Sequence, residues 1–380
     1  MKNRPFFSGI SGGIKNVENI STENLIGKSG INTGNFIFVR ALREVLGSSD
    51  DVYREQSYYQ ANLAKEKYDY IAISAANWVA SNTDMSYLCE LIESVDLPCL
   101  VVGLGGQVEH GGKAPKLKKG TERFLKLVSE RSSYISVRGQ HTQEILSEYG
   151  IHNTWNTGCP SLLGVGKGIK SVQKKGNIDF ERVVLQGTRH GFSETIFAEN
   201  KYNNINLELY RFAIENDLGL LLQSEIPDIY MKMDRQIDQG DYDKNINFLK
   251  KVYSQSELDI IRFLKNNALL FWDLEQWFSE LGSYDYLIGT RIHGVISAIQ
   301  AGIPATLIVH DERTTELAIR MNIPHVDARE INNIDFSFIT ESYEDCDFGL
   351  FNSNRLNYQM EFKKFFDANN VEIKLNLILE

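Results

Sequence analysis

Short apolar runs rich in Ile, Val and Leu alternate along the chain with segments whose apolar positions repeat every three or four residues. The runs have the length of buried strands, and the longer segments have the period of amphipathic helices. This alternation predicts an α/β fold with a mostly parallel sheet. The predicted strands are residues 68–74, 98–105, 133–139, 182–187, 218–224, 268–272, 284–289 and 304–310. The predicted helices are residues 84–95, 118–131, 140–149, 192–216, 244–265, 273–281, 293–301 and 312–321.

The chain has 380 residues, which is long for one core and typical of two domains. Residues 162–177 are rich in Gly and Lys and have little apolar periodicity, so we expect the join there. The pattern predicts two doubly wound, Rossmann-like α/β domains, residues 1–168 and 169–350, followed by a C-terminal helix over 351–380. Ligands of such sheets bind beyond the carboxyl ends of the strands, which predicts a site in the cleft between the domains.

Composition narrows the classes of function. Hydrophobic residues make up 42% and charged residues 24% of the chain, as in folded globular proteins. The net charge of −10 argues against general binding of nucleic acid. The sequence contains no run of about 18 apolar residues, so no membrane span is predicted, and no signal peptide is recognisable. The four cysteines show no CxxC spacing, which argues against a zinc ribbon and favours a cytoplasmic protein.

The segment GTRIHGVISAIQAGIP, residues 289–304, joins a predicted buried strand to a helix. Its apolar positions from Ile292 to Ile299 form one helical stripe, so Arg291 and His293 fall at the junction. A helix N-terminus attracts anions and disfavours a buried cation unless an anion joins it. Arginine can hold phosphate or carboxylate through two hydrogen bonds, and histidine can transfer protons near neutral pH. The junction predicts a phosphate or carboxylate site; the alternative pairs Arg291 with a core carboxylate and uses His293 to cap a carbonyl.

The residues from 289 to 324 resemble the C-terminal signature of the polysaccharide pyruvyltransferase family. That signature is Gly-x-Arg-x-His, a helix, Gly-x-Pro, a strand, and then a loop with Asp and a basic residue. LPCLVVGLGGQ (97–107) is similar to the family's strand that ends in Gly-x-Gly-x-Gln.

Two further segments resemble the family but depart from it at one position each. GINTGNF (30–36) is similar to an Asn-x-Gly-Asp loop, with Asn35 where aspartate is usual. SVRGQHTQEIL (136–146) is similar to a Ser-x-Arg-Asp segment, with Gly139 in place of the aspartate.

The resemblance implies a two-domain fold like that of the GT-B glycosyltransferases and a transferase that uses phosphoenolpyruvate as co-substrate, with no further cofactor and no metal. Family members attach pyruvate as a cyclic ketal to a sugar of a surface polysaccharide, such as an exopolysaccharide, or of its lipid-linked precursor. The N-terminal domain would then be the acceptor side and the C-terminal domain the donor side. Arg291 and His293 match the residues implicated in donor binding and catalysis.

Two alternatives stay open. A sugar-nucleotide glycosyltransferase of the same plan would use the 289–304 segment to cradle a diphosphate. A non-catalytic glycan- or anion-binding homologue would keep the fold without the chemistry, and the departures at Asn35 and Gly139 leave room for it. The lysine-rich run 113–119 is compatible with peripheral association with a membrane. The sequence is also compatible with a homo-oligomer.

Phosphoenolpyruvate carries about three negative charges, so cations beyond Arg291 and His293 are expected. Each residue type also has an ordinary structural role as the alternative to ligand binding. These roles are a salt bridge at the surface for arginine, turn formation for asparagine, core packing for tryptophan and helix capping for aspartate. Donor-side candidates at strand ends or the helix start are Arg138, Arg189, His190 and Gly294. Acceptor-side candidates in loops facing the cleft are Asn32, Asn35, Trp78, Gln107, Asp311 and Arg313.

Overall fold

The computed structural model describes residues 3–47, 66–107, 114–166, 169–233, 235 and 237–374. Residue 113 of the lysine-rich run lies outside this part of the chain, as do residues 375–380 of the predicted C-terminal helix. Within the described part, no helix is long and apolar enough to cross a membrane.

The first half of the chain forms one parallel β layer. Three strands pair in the order β1-β2-β3, and a separate pair is formed by β4 and β5. Leu104, just beyond β3, bridges Val137 of β4 in parallel and so joins the two groups. These strands are β1 (Pro5–Ser8), β2 (Tyr70–Ser74), β3 (Cys99–Val102), β4 (Ile135–Val137) and β5 (Thr154–Asn156). The helices of this half are α1 (Thr22–Lys28), α2 (Asn35–Val45), α3 (Ser86–Val95), α4 (Lys119–Arg131) and α5 (Gln140–Glu148).

The second half contains a six-stranded parallel sheet in the order β8-β7-β6-β9-β10-β11. The chain enters at β6, runs outward to β8, and then returns to the other side of β6 to form β9. This is the doubly wound Rossmann order, and its topological switch point lies between β6 and β9. The strands are β6 (Val183–Gln186), β7 (Gly219–Leu221), β8 (Ala268–Leu269), β9 (Tyr286–Gly289), β10 (Ala305–Val309) and β11 (His325–Asp327).

Helices cover this second sheet, and one of them, α11, is buried at every position from Ile292 to Gln300. The first of these helices are α6 (Lys201–Glu215), α7 (Ile226–Met233), α8 (Gln239–Tyr253), α9 (Glu257–Asn267) and α10 (Leu274–Leu281). The remaining helices are α11 (Ile292–Ala301), α12 (Glu312–Met321), α13 (Phe336–Glu344) and α14 (Gly349–Ala368). The prediction of an α/β fold with parallel sheets is confirmed, and the second half has the predicted doubly wound order. In the described residues of the first half, the paired strands follow one another in chain order.

Two predicted helices have different bounds in the structure. The segment 244–265 divides into α8 and α9 because Ser254 adopts a left-handed conformation, with φ 53°, and the Ser256 side chain caps the new helix. The segment 192–216 starts with a short 3-10 helix, Glu194–Phe197, and becomes α-helical only at Lys201, where the Asn200 side chain accepts the amide of Asn203. Polar side chains at helix starts therefore decide both boundaries.

Helix α14 contacts both halves of the chain. The side chain of Asn352 accepts the amide of Val172 at 2.9 Å and donates to its carbonyl at 2.8 Å. After the helix, the Asn369 side chain accepts the amide of Tyr134 at 3.1 Å. The helix ends at Ala368, and Asn370 then takes a positive φ of 57°, so α14 is shorter than the predicted span 351–380. The domain boundaries at 168 and 350 stay a prediction.

Candidate functional site

A cleft of about 620 Å³ opens where the carboxyl ends of the strands of both halves face each other. A larger groove of about 950 Å³ lies beside β11, α13 and α14, and it contains none of the predicted site residues. The structure brings eleven of the twelve predicted residues to the wall of the first cleft. They are Asn32, Asn35, Trp78, Gln107, Arg138, Arg189, His190, Arg291, His293, Asp311 and Arg313.

Arg291 is the N-cap residue of α11, and Thr290 alone separates it from strand β9. Its guanidinium donates to Oε1 of Glu225 at 3.1 Å, to the carbonyl of Arg189 at 3.1 Å and to the hydroxyl of Ser224. The pairing of Arg291 with a core carboxylate, left open by the sequence, is therefore present. Arg291 nevertheless lines the cleft, and its Nε atom is buried without a hydrogen-bond partner.

Glu225 is fully buried behind Arg291. Burial raises the pKa of this carboxyl, but Arg291 and the amides of Gln223 and Ser224, at 2.7 and 2.9 Å, outweigh burial and hold the pKa below its usual value. Glu225 is therefore ionised at neutral pH and compensates the charge of Arg291.

Arg189 lies in the wall of the cleft with its side chain fully buried. Its guanidinium pairs with Asp228, donates to the carbonyl of Gly191 at 3.0 Å, and lies over the rings of Tyr210 and Phe248 at 5.4 and 5.2 Å. The salt bridge is thus a buried one, and the charge of Arg189 is already neutralised. His190, the next residue, is exposed at the cleft.

Arg138 differs from both of these arginines because it pairs with no carboxylate in the described part of the chain. It is 4% exposed, and its guanidinium donates to the carbonyls of Gly103 and Ala75 at 2.8 and 3.1 Å and to the side-chain oxygen of Asn77 at 3.4 Å. Burial lowers its pKa, and neighbouring Arg313 lowers it further. A buried cation held only by neutral acceptors is costly, and an anion in the cleft would remove that cost.

Asp311 and Arg313 enter the cleft from the start of α12. Asp311 is the N-cap of this helix: its Oδ1 accepts the amide of Thr314 at 2.7 Å, so the capping alternative is present. Its Oδ2 lies 3.3 Å from Nη2 of Arg313. The side chain of Arg313 is 25% exposed, so Arg313 is more accessible to a ligand than Arg138.

His293 lies in the first turn of α11, with its ring 5.1 Å from that of Phe38. Burial first, and then Arg138, Arg313 and Arg291, lower the pKa of His293 well below 6.5. The ring is therefore neutral near pH 7. Negative charge in the cleft would oppose the three arginines and raise this pKa.

The two asparagines shape the loop before α2. Asn32 accepts the amide of Gly34 at 2.9 Å through its side-chain oxygen. The amide group of Asn35 donates to the carbonyls of Ser29 and Gly30 at 3.1 and 3.3 Å. The turn-forming alternative is therefore observed for both. An aspartate at position 35 could not donate these bonds, which gives the departure from the family pattern a physical reason.

Trp78 and Gln107 are the remaining acceptor-side candidates. Trp78 is half-buried and packs edge-on against Phe124, with centroids 6.0 Å apart, yet it also lines the cleft. Gln107 is exposed at the end of the described segment and lines the same cleft.

Gly294 is the one predicted residue that does not line the cleft. Its amide donates to the carbonyl of Arg291 at 3.1 Å, so it is not free for a ligand. A Cβ at this position would lie 1.9 Å from Oε1 of Gln186, at the end of β6. The glycine instead allows α11 to pack closely against the sheet.

Sequence reasoning missed several lining or supporting residues. Thr188 and Thr290 follow β6 and β9, and their hydroxyls lie 2.7 Å apart across the switch point. Both stand directly after predicted strands. The rule that ligands bind beyond the carboxyl ends of parallel strands, which indicated Arg291, could therefore have indicated them as well. Cys159 contacts His293, but the two are distant in sequence, so no local signal indicated it.

The charges of the site nearly balance. Four arginines (Arg138, Arg189, Arg291 and Arg313) face three carboxylates (Glu225, Asp228 and Asp311), which leaves one positive charge. No group of three or more potential metal ligands occurs among the residues that the structure describes. Fold and site together define an α/β protein with a cleft of net positive charge at the topological switch point of its doubly wound sheet.

Comparison with known families agrees with the motifs. The model of the polysaccharide pyruvyl transferase family matches residues 32–312, well over half of the chain. The chain belongs to the polysaccharide pyruvyl transferase family, as its motifs predicted. No protein among those with curated descriptions matches the chain.

Solved structures show a distant likeness. HepE from Anabaena, in complex with UDP and glucose, aligns over 96% of this chain and 99% of that chain at 12% identity, with a TM-score of 0.42. A putative UDP-N-acetylglucosamine 2-epimerase from Listeria monocytogenes aligns over 98% and 92% at 11% identity, with a TM-score of 0.39. Likeness at this level carries no argument about substrate.

Proposed function

We propose that this protein transfers pyruvate from phosphoenolpyruvate to two hydroxyls of a glycan, or of its lipid-linked precursor, as a cyclic ketal. Membership of the pyruvyl transferase family supports a transferase. The observation that carries the proposal is Arg138, a buried cation with no carboxylate partner among the described residues, close to Arg313 and His293 in the cleft.

The reaction balances without another reactant. The methylene carbon of phosphoenolpyruvate takes up a proton, and one glycan hydroxyl adds to C2 with loss of its proton. The bond between C2 and the phosphate oxygen then breaks, and phosphate leaves with the electron pair. The second hydroxyl adds to C2 and loses its proton, which closes the ketal. One of the two hydroxyl protons accounts for the new methyl hydrogen, and the other leaves with phosphate.

The residues divide the work by charge. Arg138 and Arg313 bind the phosphate, because their charges are the least compensated in the cleft. Arg291 and the amides of Ile292 and His293, which precede the bonded amide of Gly294, add further donors at the helix N-terminus. Bound phosphoenolpyruvate raises the pKa of His293, which then carries a proton to the reacting atoms.

The acceptor binds on the side of the first half of the chain. Asn32, Gln107 and Trp78 line that side of the cleft, where amide groups and an aromatic ring suit sugar hydroxyls and a sugar face. Asp311 lies beside Arg313, and its Oδ2 is placed to orient a hydroxyl after the arginine turns to phosphate.

The test measures phosphate release from phosphoenolpyruvate by the purified protein across a panel of glycans, with mass spectrometry of the product. We expect a pyruvyl ketal on one glycan. Arg138→Met should raise the dissociation constant of phosphoenolpyruvate at least about tenfold. The matched control is Arg123→Met, which removes an arginine paired with Glu93 on the surface away from the cleft.

Two outcomes would overturn the proposal. Thermal stabilisation by a UDP- or GDP-sugar but not by phosphoenolpyruvate would indicate a sugar-nucleotide glycosyltransferase. Binding of phosphoenolpyruvate without phosphate release on any glycan of a broad panel would indicate a non-catalytic binding protein.

A further inference from the structure

A buried thiol contacts the imidazole of the site. Sγ of Cys159 lies 3.4 Å from Nε2 of His293, although 134 residues separate the two in sequence. Cys159 is fully buried, and it lies between β5 and the short 3-10 helix Pro160–Leu163. The thiol therefore touches the imidazole from inside the protein and not from the cleft.

Each of the two groups has few other partners. Among the described residues, Sγ of Cys159 has no second hydrogen-bond acceptor, and Nδ1 of His293 makes no hydrogen bond. His293 lines the cleft. Nε2 is thus occupied by the protein, and Nδ1 is the ring nitrogen left for a ligand.

We propose that Cys159 is a positioning residue that fixes the tautomer of His293, so that Nδ1–H faces the bound anion. The proposal rests on the function proposed above. In the free protein the thiol donates its S–H to Nε2. Once the ring is protonated in the complex, the same sulfur accepts Nε2–H, because a thiol can serve as weak donor and weak acceptor.

The direction of the first hydrogen bond follows from the ring's protonation. A neutral imidazole has one N–H and one lone pair, and which nitrogen carries the proton is set by the partner of the other. An imidazole nitrogen is a much better acceptor than a thiol sulfur. The arrangement that satisfies the buried S–H therefore places the lone pair on Nε2 and the proton on Nδ1.

The charged groups around His293 determine whether its ring has one N–H or two, and so whether the tautomer matters. The groups with charge that face His293 are Arg138 at the end of β4, Arg313 on α12 and Arg291 at the start of its own helix. Helix α2 contributes Phe38 and the backbone at Gly34, neither of which titrates. Burial and these three cations leave the ring neutral until an anion arrives, so the proposal requires its single N–H to face the cleft already.

The first arm of the test is the ¹⁵N NMR spectrum of His293 in the full chain, with and without inorganic phosphate. We expect the Nδ1–H tautomer in the wild type and in Cys159→Ser, which keeps a hydroxyl donor. Cys159→Val fills the space but removes the donor and should give a mixture of tautomers. The matched control is Cys89→Val, since Cys89 is equally buried and donates only to the carbonyl of Gly120 at 3.6 Å.

The second arm is the kinetics with phosphoenolpyruvate. Cys159→Val should lower kcat roughly 10- to 100-fold with little change in KM, and should shift the acidic limb of the pH–rate profile. Cys159→Ser should restore most of kcat. If valine fails to fold, Cys159→Ala replaces it in both arms.

An unchanged tautomer and an unchanged pH profile in the valine or alanine variant would reduce Cys159 to a packing residue and overturn the inference. The NMR arm needs no turnover. A protein that never acts on phosphoenolpyruvate would therefore disprove the proposed function and still report on Cys159.

Discussion

The carboxylate of Glu316, on α12, accepts the backbone amide of His141 at 2.9 Å and so caps α5 from the opposite half of the chain. A Cβ at Gly139, the N-cap residue of α5, would lie 2.0 Å from Oε2 of the same carboxylate. The family usually has aspartate at this position. In this chain, glycine leaves the room that the distant carboxylate occupies, and Glu316 serves as the cap that aspartate would otherwise provide.

Gly139→Asp should therefore destabilise the protein, although it restores the family pattern. The new carboxylate would meet that of Glu316. Repulsion between the two, or displacement of the Glu316 side chain, would break the hydrogen bond from the amide of His141 to Glu316 that joins the halves. We expect the free energy of unfolding to fall by about 1–2 kcal/mol, measured by urea denaturation.

The control is the double variant Gly139→Asp/Glu316→Ala. Once Glu316 is removed, the aspartate can cap α5 itself, so the pair should be more stable than the sum of the single changes predicts by about 1 kcal/mol. Strict additivity of the two changes would show that the side chains do not compete for the same helix start.

The fold was largely predictable because its strands are buried on both faces and read as continuous apolar runs. Strands without such runs were not predicted. These are β1, β5 and β11, which have three or four residues each, and the last two have the sequences TWN and HVD. The parallel neighbour of each, and not its own composition, defines it as a strand. The pairing partner of β1 lies 65 residues further along the chain, and those of β5 and β11 lie 19 and 18 residues back, so no pattern within the strands themselves indicates them.

The site was predictable as far as strand ends indicate a cleft. The rule that side chains after parallel strands meet brought Arg138 and Arg291 together correctly. The same rule could not predict which arginine has its charge neutralised, because that depends on residues elsewhere in the chain. Glu225 neutralises Arg291, whereas Arg138 has only carbonyl and amide acceptors in the described structure. Charge balance is a tertiary property, and so is the pKa of His293.

Glu225 sets the charge that Arg291 presents to the cleft. In Glu225→Gln this buried arginine loses its counter-charge, so the ligand-free protein should lose about 3–5 kcal/mol of stability. The uncompensated guanidinium should in turn bind phosphate more tightly, by about tenfold. Thermal melts with increasing inorganic phosphate measure both effects at once.

Asp228→Asn is the matched control, because Asp228 is equally buried and pairs with Arg189, whose side chain is fully enclosed. We expect similar destabilisation with no gain in phosphate affinity. A gain of the same size in both variants would mean that the cleft senses only total charge and that Arg291 has no special access to the ligand.

The pKa of His293 makes stability depend on pH in a direction that a bound anion should change. The ordinary value is 6.5, and the folded value lies well below it, so the unfolded chain binds more protons as the pH falls. The stabilising contribution of the neutral ring is complete above about pH 6.5 and is lost progressively below it. Urea unfolding of the wild type between about pH 7.5 and 5.5 should show this slope.

His293→Gln should have a shallower slope over the same range, by at most about 1.4 kcal/mol per pH unit. His310, whose pKa burial lowers to about 4, contributes equally to both proteins, so the difference isolates His293. Sulfate keeps its charge over this range. It should flatten the slope of the wild type by raising the pKa of His293, and should leave the slope of the variant unchanged. Equal slopes for the two proteins without sulfate would show that His293 is not held neutral by its burial and the arginines around it.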